Sequence, residues 1–238
     1  MIRYAIGDVH GQRALLEAML VALAADQGVS NTGPGRPTVL LVGDYVDRGP
    51  ASAQVIEMLM VGCHGPFQLH CLKGNHEEMM LAARTDPKAA TLWLVNGGLA
   101  TLRSYGWTPP PGVSVGFLPG EVVMEAALAC VPEAHWRWIE ALPTLHQDER
   151  YVYAHAGLHP DRPLSRQTAR DLLWIREPFL SRAGKLGHTV VHGHTPALAP
   201  EVFPFRIGID TGTGNGGPLT ALATTGKKPR FIQIGGHR

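Results

Sequence analysis

Short apolar runs that end in turns of glycine with aspartate, asparagine or histidine recur along this chain. The early runs lie at residues 4–6, 39–42 and 68–72, and later ones lie at 151–154 and 190–191. They are too short for helices and rich in β-branched or aromatic residues, which is typical of buried strands. The turns that follow them read GDVHG, GDYVDRG, GNHE, HAG and GHT. Polar side chains therefore follow one predicted strand after another.

Helical patterns separate the early strands. Apolar residues at 15, 16, 19, 20 and 23 recur at the spacing of one helix face, and Pro50 is suited to the first turn of a second helix with Val55 and Ile56 on its apolar face. This order predicts an α/β fold with a substantially parallel sheet. Ligands bind beyond the carboxyl ends of the strands in such sheets, which is where the polar turns fall.

The rest of the chain does not continue the alternation of strands and helices. Residues 207–209, 219–223 and 231–234 have the composition of three more strands. Residues 85–147 carry four of the tryptophans and a Pro-rich loop at 109–112, and we interpret them as a mainly helical insertion. The whole chain, 1–238, is thus expected to be one domain with an insertion.

Composition excludes several classes of protein. Hydrophobic residues make up 45% of the 238 residues, and 21 Lys and Arg against 20 Asp and Glu leave a net charge of +1. This near-neutral charge gives no positive field of the kind that attracts nucleic acid. The longest apolar stretch, residues 14–25, is too short to cross a membrane. Three cysteines without a CxxC pair and an N-terminus without signal-peptide character predict a cytoplasmic protein. The oligomeric state stays open.

Six ligand-type residues follow the predicted strands. They are two aspartates, one asparagine and three histidines: Asp8, Asp44, Asn75, His10, His155 and His194. Oxygen and imidazole donors favour manganese, iron or zinc. Six ligands exceed what one tetrahedral site needs, but they suit two metal ions about 3.5–4 Å apart that share a carboxylate. Any one of these turns also has a purely structural interpretation, such as an aspartate capping a helix, so the hypothesis depends on their repetition.

The motifs closely resemble those of the phosphoprotein phosphatase family, within the calcineurin-like metallophosphoesterases. That family's pattern of GDxHG, GDxVDRG, GNHE, HAG and GHT stands here as GDVHG, GDYVDRG, GNHEE, HAGL and HGHT. The resemblance runs from Gly7 to the Asp210 region and is closest to the small bacterial members. It implies a central β-sandwich of mixed sheets flanked by helices.

The resemblance also implies a division of the ligands between two divalent metal ions, with manganese expected and iron or zinc as alternatives. The first ion is assigned Asp8, His10 and Asp44. Asp44 bridges to a second ion, which is assigned Asn75, His155 and His194.

The remaining implied roles concern catalysis by a hydroxide that bridges the two metal ions. His76 is the general acid at the leaving group, and Asp47 orients it. Arg48 binds phosphate oxygens, and a second phosphate-binding arginine is assigned to Arg176 in the segment WIR.

One departure separates this chain from the diesterases of the superfamily. Diesterases usually have GHxH, whereas here Pro196 follows Gly193, His194 and Thr195. This favours the phosphatase branch. His192 is expected to be packed or to support a ligand rather than to bind metal.

The sequence favours a phosphomonoester hydrolase that acts on phosphoserine or phosphothreonine in proteins, with phosphotyrosine as a further substrate. Two alternatives remain: a symmetrical bis(5'-nucleosyl)-tetraphosphatase, and a binding protein on an inactive phosphatase fold. Substrate choice is expected to lie in the insertion. Its tryptophans either line a cleft or pack helices onto the sheet, and we favour packing.

Overall fold

The computed structural model describes residues 2–26, 36–111, 118–182, 187–226 and 228–236, and within them the chain forms two mixed β-sheets flanked by helices. The strands are β1 Ile2–Ile6, β2 Thr38–Leu41, β3 Cys63–His64, β4 Phe67–Cys71, β5 Leu145–Gln147, β6 Tyr151–Ala154, β7 Thr189–His192, β8 Glu201–Phe203, β9 Arg206–Gly208, β10 Leu219–Ala223 and β11 Arg230–Ile234. All eight runs predicted as strands are strands, and the fold class is confirmed.

The helices are α1 Arg13–Ala25, α2 Ser52–Met60, α3 Asn75–Ala82, α4 Pro87–Trp93, α5 Leu99–Ser104, α6 Gly120–Cys130, α7 Glu133–Ala141, α8 Ala169–Trp174 and α9 Phe179–Arg182. A kinked π-helical segment, Leu94–Gly98, joins α4 to α5. The expectation that Pro50 lies in the first turn of α2 is wrong, because the helix begins at Ser52 and Pro50 lies in the turn before it. In the described ranges, no helix combines the length and hydropathy needed to cross a membrane.

The parallel strands of the two sheets set the position of the polar turns. One sheet has the order β11-β10-β1-β2-β4-β3, and the other has β5-β6-β7-β9-β8. Strands β1, β2 and β4 are parallel to one another, as are β6, β7 and β9. Antiparallel strands flank both parallel groups, and among them the short β3, β5 and β8 have no counterpart in the sequence prediction.

Apolar residues between the sheets form the centre of the fold. Ala5 and Val42 from one sheet belong to the same buried cluster as Tyr153, Val191 and Ile209 from the other. Helix α1 covers the outer face of the first sheet with a stripe of four leucines and methionines, as its spacing predicts. With the two sheets packed in this way, the carboxyl ends of both groups of parallel strands lie at one edge of the fold.

Residues between α3 and β5 form a separate helical layer. Trp93 and Trp136 are fully buried in its core, with Met80, Leu102 and Ile139. Burial of these two rings agrees with packing and excludes their use as the wall of an open cleft.

Candidate metal centre

The six predicted ligands come together at this edge. Asp8 and His10 follow β1, Asp44 follows β2 and Asn75 begins α3 after β4. From the other sheet, His155 follows β6 and His194 follows β7. All six are buried. Strand ends that lie far apart in sequence therefore contribute to one polar cluster.

One half of the cluster surrounds the amide oxygen of Asn75. Asn75 Oδ1 lies 2.8 Å from His155 Nε2 and 2.8 Å from His194 Nδ1. Asp44 Oδ1 lies 3.4 Å from the same His155 nitrogen. These are the residues assigned to the second metal ion.

The other half surrounds the second oxygen of Asp44. Asp44 Oδ2 lies 3.6 Å from His10 Nε2, and ligand atoms of Asp8, Asp44 and His155 all lie within 4.8 Å of one another. Asp44 thus directs one oxygen to each half, which is the arrangement a bridging carboxylate requires. The backbone N–H of His194 donates to Asp8 Oδ2 at 3.1 Å. A side chain at position 193 would strike the Asp8 carboxylate, so this approach requires Gly193.

The protonation pattern fits cations. His155 Nδ1 lies 3.1 Å from the carbonyl oxygen of Val42, and His10 Nδ1 lies 2.9 Å from that of Val46. A carbonyl only accepts, so both rings are protonated at Nδ1 and, when neutral, present a lone pair at Nε2. Burial lowers the pKa of His10 to about 3 and also lowers that of His155, so both rings are neutral at pH 7. Their nitrogen lone pairs face the oxygens of Asp44 and Asn75. A cation placed between them can be bound by the nitrogens and the oxygens together.

The carboxylates give the same result. Burial, Asp210 and Asp44 together raise the pKa of the Asp8 carboxyl well above its usual range. Burial opposes ionisation of Asp44 too, but nearby His155, His76 and His10 hold its pKa below its usual range. Buried acids that repel one another are stabilised by positive charge between them. The residues present therefore fit divalent metal ions.

His76 stands beside this cluster with a partner of its own. Its Nδ1 lies 2.7 Å from Asp47 Oδ2, and its ring meets the ring of His10 edge to face at 4.7 Å. Burial disfavours the imidazolium, but Asp44 and Asp47 outweigh burial and raise the pKa of His76. The pair has the geometry of an oriented proton donor.

The two predicted arginines lie in different surroundings. Arg48 is exposed, but its guanidinium contacts the cluster, with one nitrogen 3.0 Å from His10 Nε2 and the other 3.1 Å from His76 Nε2. Arg176 is exposed and lines a cleft of about 990 Å³ beside Trp174 and Pro178. Arg176 is also one of the charges that lower the pKa of His194, so it lies near the centre.

Backbone strain is concentrated in this site. In the described residues, the non-glycine positions with positive φ are all site residues: His10, Asp44, Asp47, Arg48 and His194. A left-handed conformation costs such a residue about 1–3 kcal/mol and persists only where the surroundings enforce it. The structure therefore maintains the site geometry at a cost in stability.

Sequence reasoning left several supporting residues without a role. Glu77 is fully buried, and its carboxylate accepts the backbone N–H groups of Asp44, Tyr45, Val46 and Gly74 at 2.7–3.2 Å, which shapes the loop that carries Asp44. Glu77 stands in the motif GNHEE, so a signal for it existed.

Asp210 and two residues of the helical layer were also missed. Asp210 follows β9 and is buried near Asp8, so the same strand-end rule points to it. Trp93 and Thr101 donate to Asp47, although nothing in their sequence surroundings marks them. His192 packs against Phe179 with the ring centroids 5.0 Å apart.

Comparisons with known proteins agree with this geometry. The family model described as Calcineurin-like phosphoesterase matches residues 3–213. Serine/threonine-protein phosphatase 1 of Salmonella typhimurium is 29% identical over 222 residues, which cover 91% of this chain and 89% of that protein. The symmetrical bis(5'-nucleosyl)-tetraphosphatase of Paracidovorax citrulli is 39% identical, covering 93% of this chain and 92% of that protein.

A solved structure extends the agreement to the fold. The crystal structure of a putative diadenosine tetraphosphatase superposes with a TM-score of 0.66 at 24% identity, covering 98% of this chain and 93% of that chain. The family model spans both parallel strand groups and all six predicted ligands. The chain belongs to the calcineurin-like phosphoesterases.

Proposed function

We propose that this protein is a metal-dependent phosphomonoester hydrolase of the protein serine/threonine phosphatase type, with phosphotyrosine as a further substrate. The observation that carries the proposal is the His76–Asp47 pair beside the ligand cluster, at 2.7 Å. A serine or threonine alkoxide is a poor leaving group and needs a proton as the P–O bond breaks. A buried imidazole with a raised pKa supplies it.

Two metal ions, manganese for preference and iron or zinc as alternatives, are held in this proposal by the two halves of the cluster. Asp8 and His10 would hold the first ion, Asn75, His155 and His194 would hold the second, and Asp44 would be shared by both. When bound, two such ions lower the pKa of a water and neutralise charge on the phosphoryl oxygens.

The arginines bind the phosphoryl group from the remaining sides. A guanidinium nitrogen of Arg48 lies 3.1 Å from His76 Nε2. When His76 is protonated, both nitrogens carry N–H groups, and this contact is unfavourable unless both groups donate to a shared acceptor. A phosphoryl oxygen is an acceptor for both. Arg176 reaches the same group from the cleft side, and a guanidinium fork matches a pair of phosphate oxygens.

A water that has lost a proton attacks phosphorus in line and forms the new P–O bond, and the leaving oxygen then lies opposite it, on the side of His76. Its Nε2 proton passes to that oxygen as the P–O bond breaks, while Asp47 holds Nδ1 and stabilises the imidazolium. No cysteine takes part, and Cys63, Cys71 and Cys130 are free thiols, as expected in the reducing cytoplasm where we propose the protein works.

The cleft beside Arg176 favours a second candidate, a symmetrical dinucleoside tetraphosphatase. Arg162 and Arg170 also line this cleft, which gives a chain of phosphates more than one cation to bind. The tetraphosphatase relative with 39% identity supports the same candidate. Arg162 is already paired with Asp171 at 2.5 Å, so its charge is partly neutralised there.

One experiment separates the two candidates. Turnover of a phosphoserine peptide and of diadenosine tetraphosphate is compared with Mn²⁺, for the wild type, Arg170→Ala and the control Arg166→Ala, whose side chain is exposed outside the cleft. The phosphatase proposal predicts a higher kcat/KM for the peptide and little effect of Arg170→Ala on it. Preference for the tetraphosphate, lost selectively in Arg170→Ala, would contradict it and establish the second candidate.

A further inference from the structure

The carboxylate of Asp47 is held mainly by the helical layer, not by the sheets. Trp93 Nε1 lies 2.9 Å from Asp47 Oδ1 and 3.1 Å from Oδ2, and Thr101 Oγ1 donates to Oδ1 at 2.6 Å. The Asp47 side chain is fully buried. With Oδ1 taken by two donors, Oδ2 is the oxygen that remains for His76 Nδ1.

The helical layer also supports the backbone at Asp47 and at its neighbour Arg48. The Asp47 N–H donates to Thr101 Oγ1 at 2.8 Å, and the Arg48 N–H donates to the carbonyl of Gly97 at 3.2 Å. Asp47 and Arg48 both have positive φ, at 73° and 68°, and such conformations need external support. Thr101 and Gly97 provide it from outside the loop.

The kink between α4 and α5 makes these contacts possible. Gly97 has φ 111°, and a Cβ there would lie 2.9 Å from Arg48 Cγ, so only glycine brings the chain this close. A Cβ on Gly98 would lie 2.6 Å from the Trp93 ring. The segment Asn96-Gly97-Gly98 thus allows the layer to approach both Arg48 and the indole.

We propose that Trp93 and Thr101 are positioning residues for the proton donor: they fix the Asp47 carboxylate so that it holds His76 toward the leaving group. The insertion is then part of the catalytic apparatus in addition to any surface it offers to substrate. This inference rests on the proposed function, in which His76 is the acid.

Trp93→Phe and Thr101→Val test it, because each keeps most of the volume and removes the donor. The matched control is Trp136→Phe, a fully buried tryptophan of the same layer that makes no contact with Asp47 among the described hydrogen bonds. Metal content and the midpoint of thermal unfolding are measured for all three variants. These show whether any loss follows general destabilisation, which the control shares.

The first readout is the dependence on leaving group. Phenyl phosphate needs a proton donor, whereas 2,4-dinitrophenyl phosphate does not. We expect kcat for phenyl phosphate to fall at least about 10-fold in both test variants, a part of the roughly 10²–10⁴-fold that a general acid contributes. The dinitrophenyl ester should lose much less. Equal losses on both esters would overturn the proposal.

The second readout is coupling to Asp47. In an Asp47→Asn background, Trp93→Phe should cost little more on phenyl phosphate, because the group it positions is already gone. Fully additive losses would assign the indole a structural role unrelated to the acid and would overturn the proposal.

The third readout does not need turnover. The His76 Nδ1 proton, assigned by its absence in His76→Asn, should give a low-field NMR signal that weakens or shifts in Trp93→Phe and Thr101→Val but stays in Trp136→Phe. An unchanged signal in both test variants would overturn the proposal. If the wild type hydrolyses neither ester, the proposed function fails, and this signal still decides whether the two residues position His76.

Discussion

The ligand cluster and the proton donor lie side by side, but different parts of the fold build them. The cluster draws its six side chains from the carboxyl ends of parallel strands in both sheets. The donor pair is held by Trp93 and Thr101, which lie 46 and 54 residues from Asp47 in the helical layer. In our proposal, metal binding therefore depends on the sheets, whereas proton donation depends on the helical layer as well. Changes in each region should therefore have separable effects.

Asp44→Asn is expected to have the largest effect, because the residue serves both halves of the cluster. We expect metal content to fall at both positions and turnover to fall by more than the roughly 10²–10⁴-fold assigned to a general acid. The matched control is Asp47→Asn, a neighbouring buried carboxylate, which should keep its metal. Measured metal content that stays at the wild-type level in Asp44→Asn would remove it as the bridge.

His76→Asn tests the other half of the comparison. We expect turnover of phenyl phosphate to fall by about 10²–10⁴-fold while metal content is unchanged, because His76 is proposed to be a proton donor and not a metal ligand. Metal analysis and single-substrate kinetics on the same preparation check this. Loss of metal along with activity would show that the two regions are not separable at this residue.

Arg176→Ala is expected to have a smaller effect, confined to phosphate binding. The side chain is exposed on the cleft side, so its loss should leave the metal content intact. A charged hydrogen bond contributes about 1.5–3 kcal/mol, so inhibition by inorganic phosphate should weaken by about 10-fold or more. An unchanged inhibition constant would show that Arg176 does not contact the phosphoryl group.

Asp171→Asn should lower stability and leave the metal content unchanged. Asp171 closes the capping box at the start of α8; burial opposes its ionisation, but hydrogen bonds from Thr168 and Arg162 outweigh burial and lower its pKa. A lowered pKa stabilises the fold above the ordinary value, and this contribution is lost as pH falls through the folded value.

The expected loss is about 0.5–1.5 kcal/mol of unfolding free energy at pH 7, the usual net contribution of a hydrogen bond, because the asparagine amide oxygen still accepts but carries no charge. Denaturant unfolding of both proteins checks it, and the difference should disappear well below pH 4. A difference that persists in strong acid, or a change in metal content, would contradict this account.

Much of the fold could be predicted because its signals are local. The composition of runs such as 39–42 and 151–154 predicts buried strands. The predicted metal ligands lie in the turns that follow, within a few residues of each strand. The six ligand-type residues could be named for the same reason, since parallel strands carry the residues after them to one edge. Asp210 obeys this rule as well, because it directly follows the run 207–209 that is predicted as a strand, but the prediction left it out.

The rest depends on contacts between distant segments. Nothing near Trp93 or Thr101 distinguishes a tryptophan or threonine that binds Asp47 from one that only packs. The start of α2 was misplaced because Pro50 fits a first helical turn, whereas here it lies in the turn that leaves the strained loop at Asp47 and Arg48. The two-residue β3 and three-residue β5 and β8 are paired by the sheet rather than specified by their own composition.

Anomalous diffraction from crystals soaked in manganese would locate the metal ions of the proposed centre. The account predicts two peaks about 3.5–4 Å apart, with Asp44 between them. Asp8 and His10 should flank one peak, and Asn75, His155 and His194 should flank the other. A single peak, or peaks remote from Asp44, would contradict it.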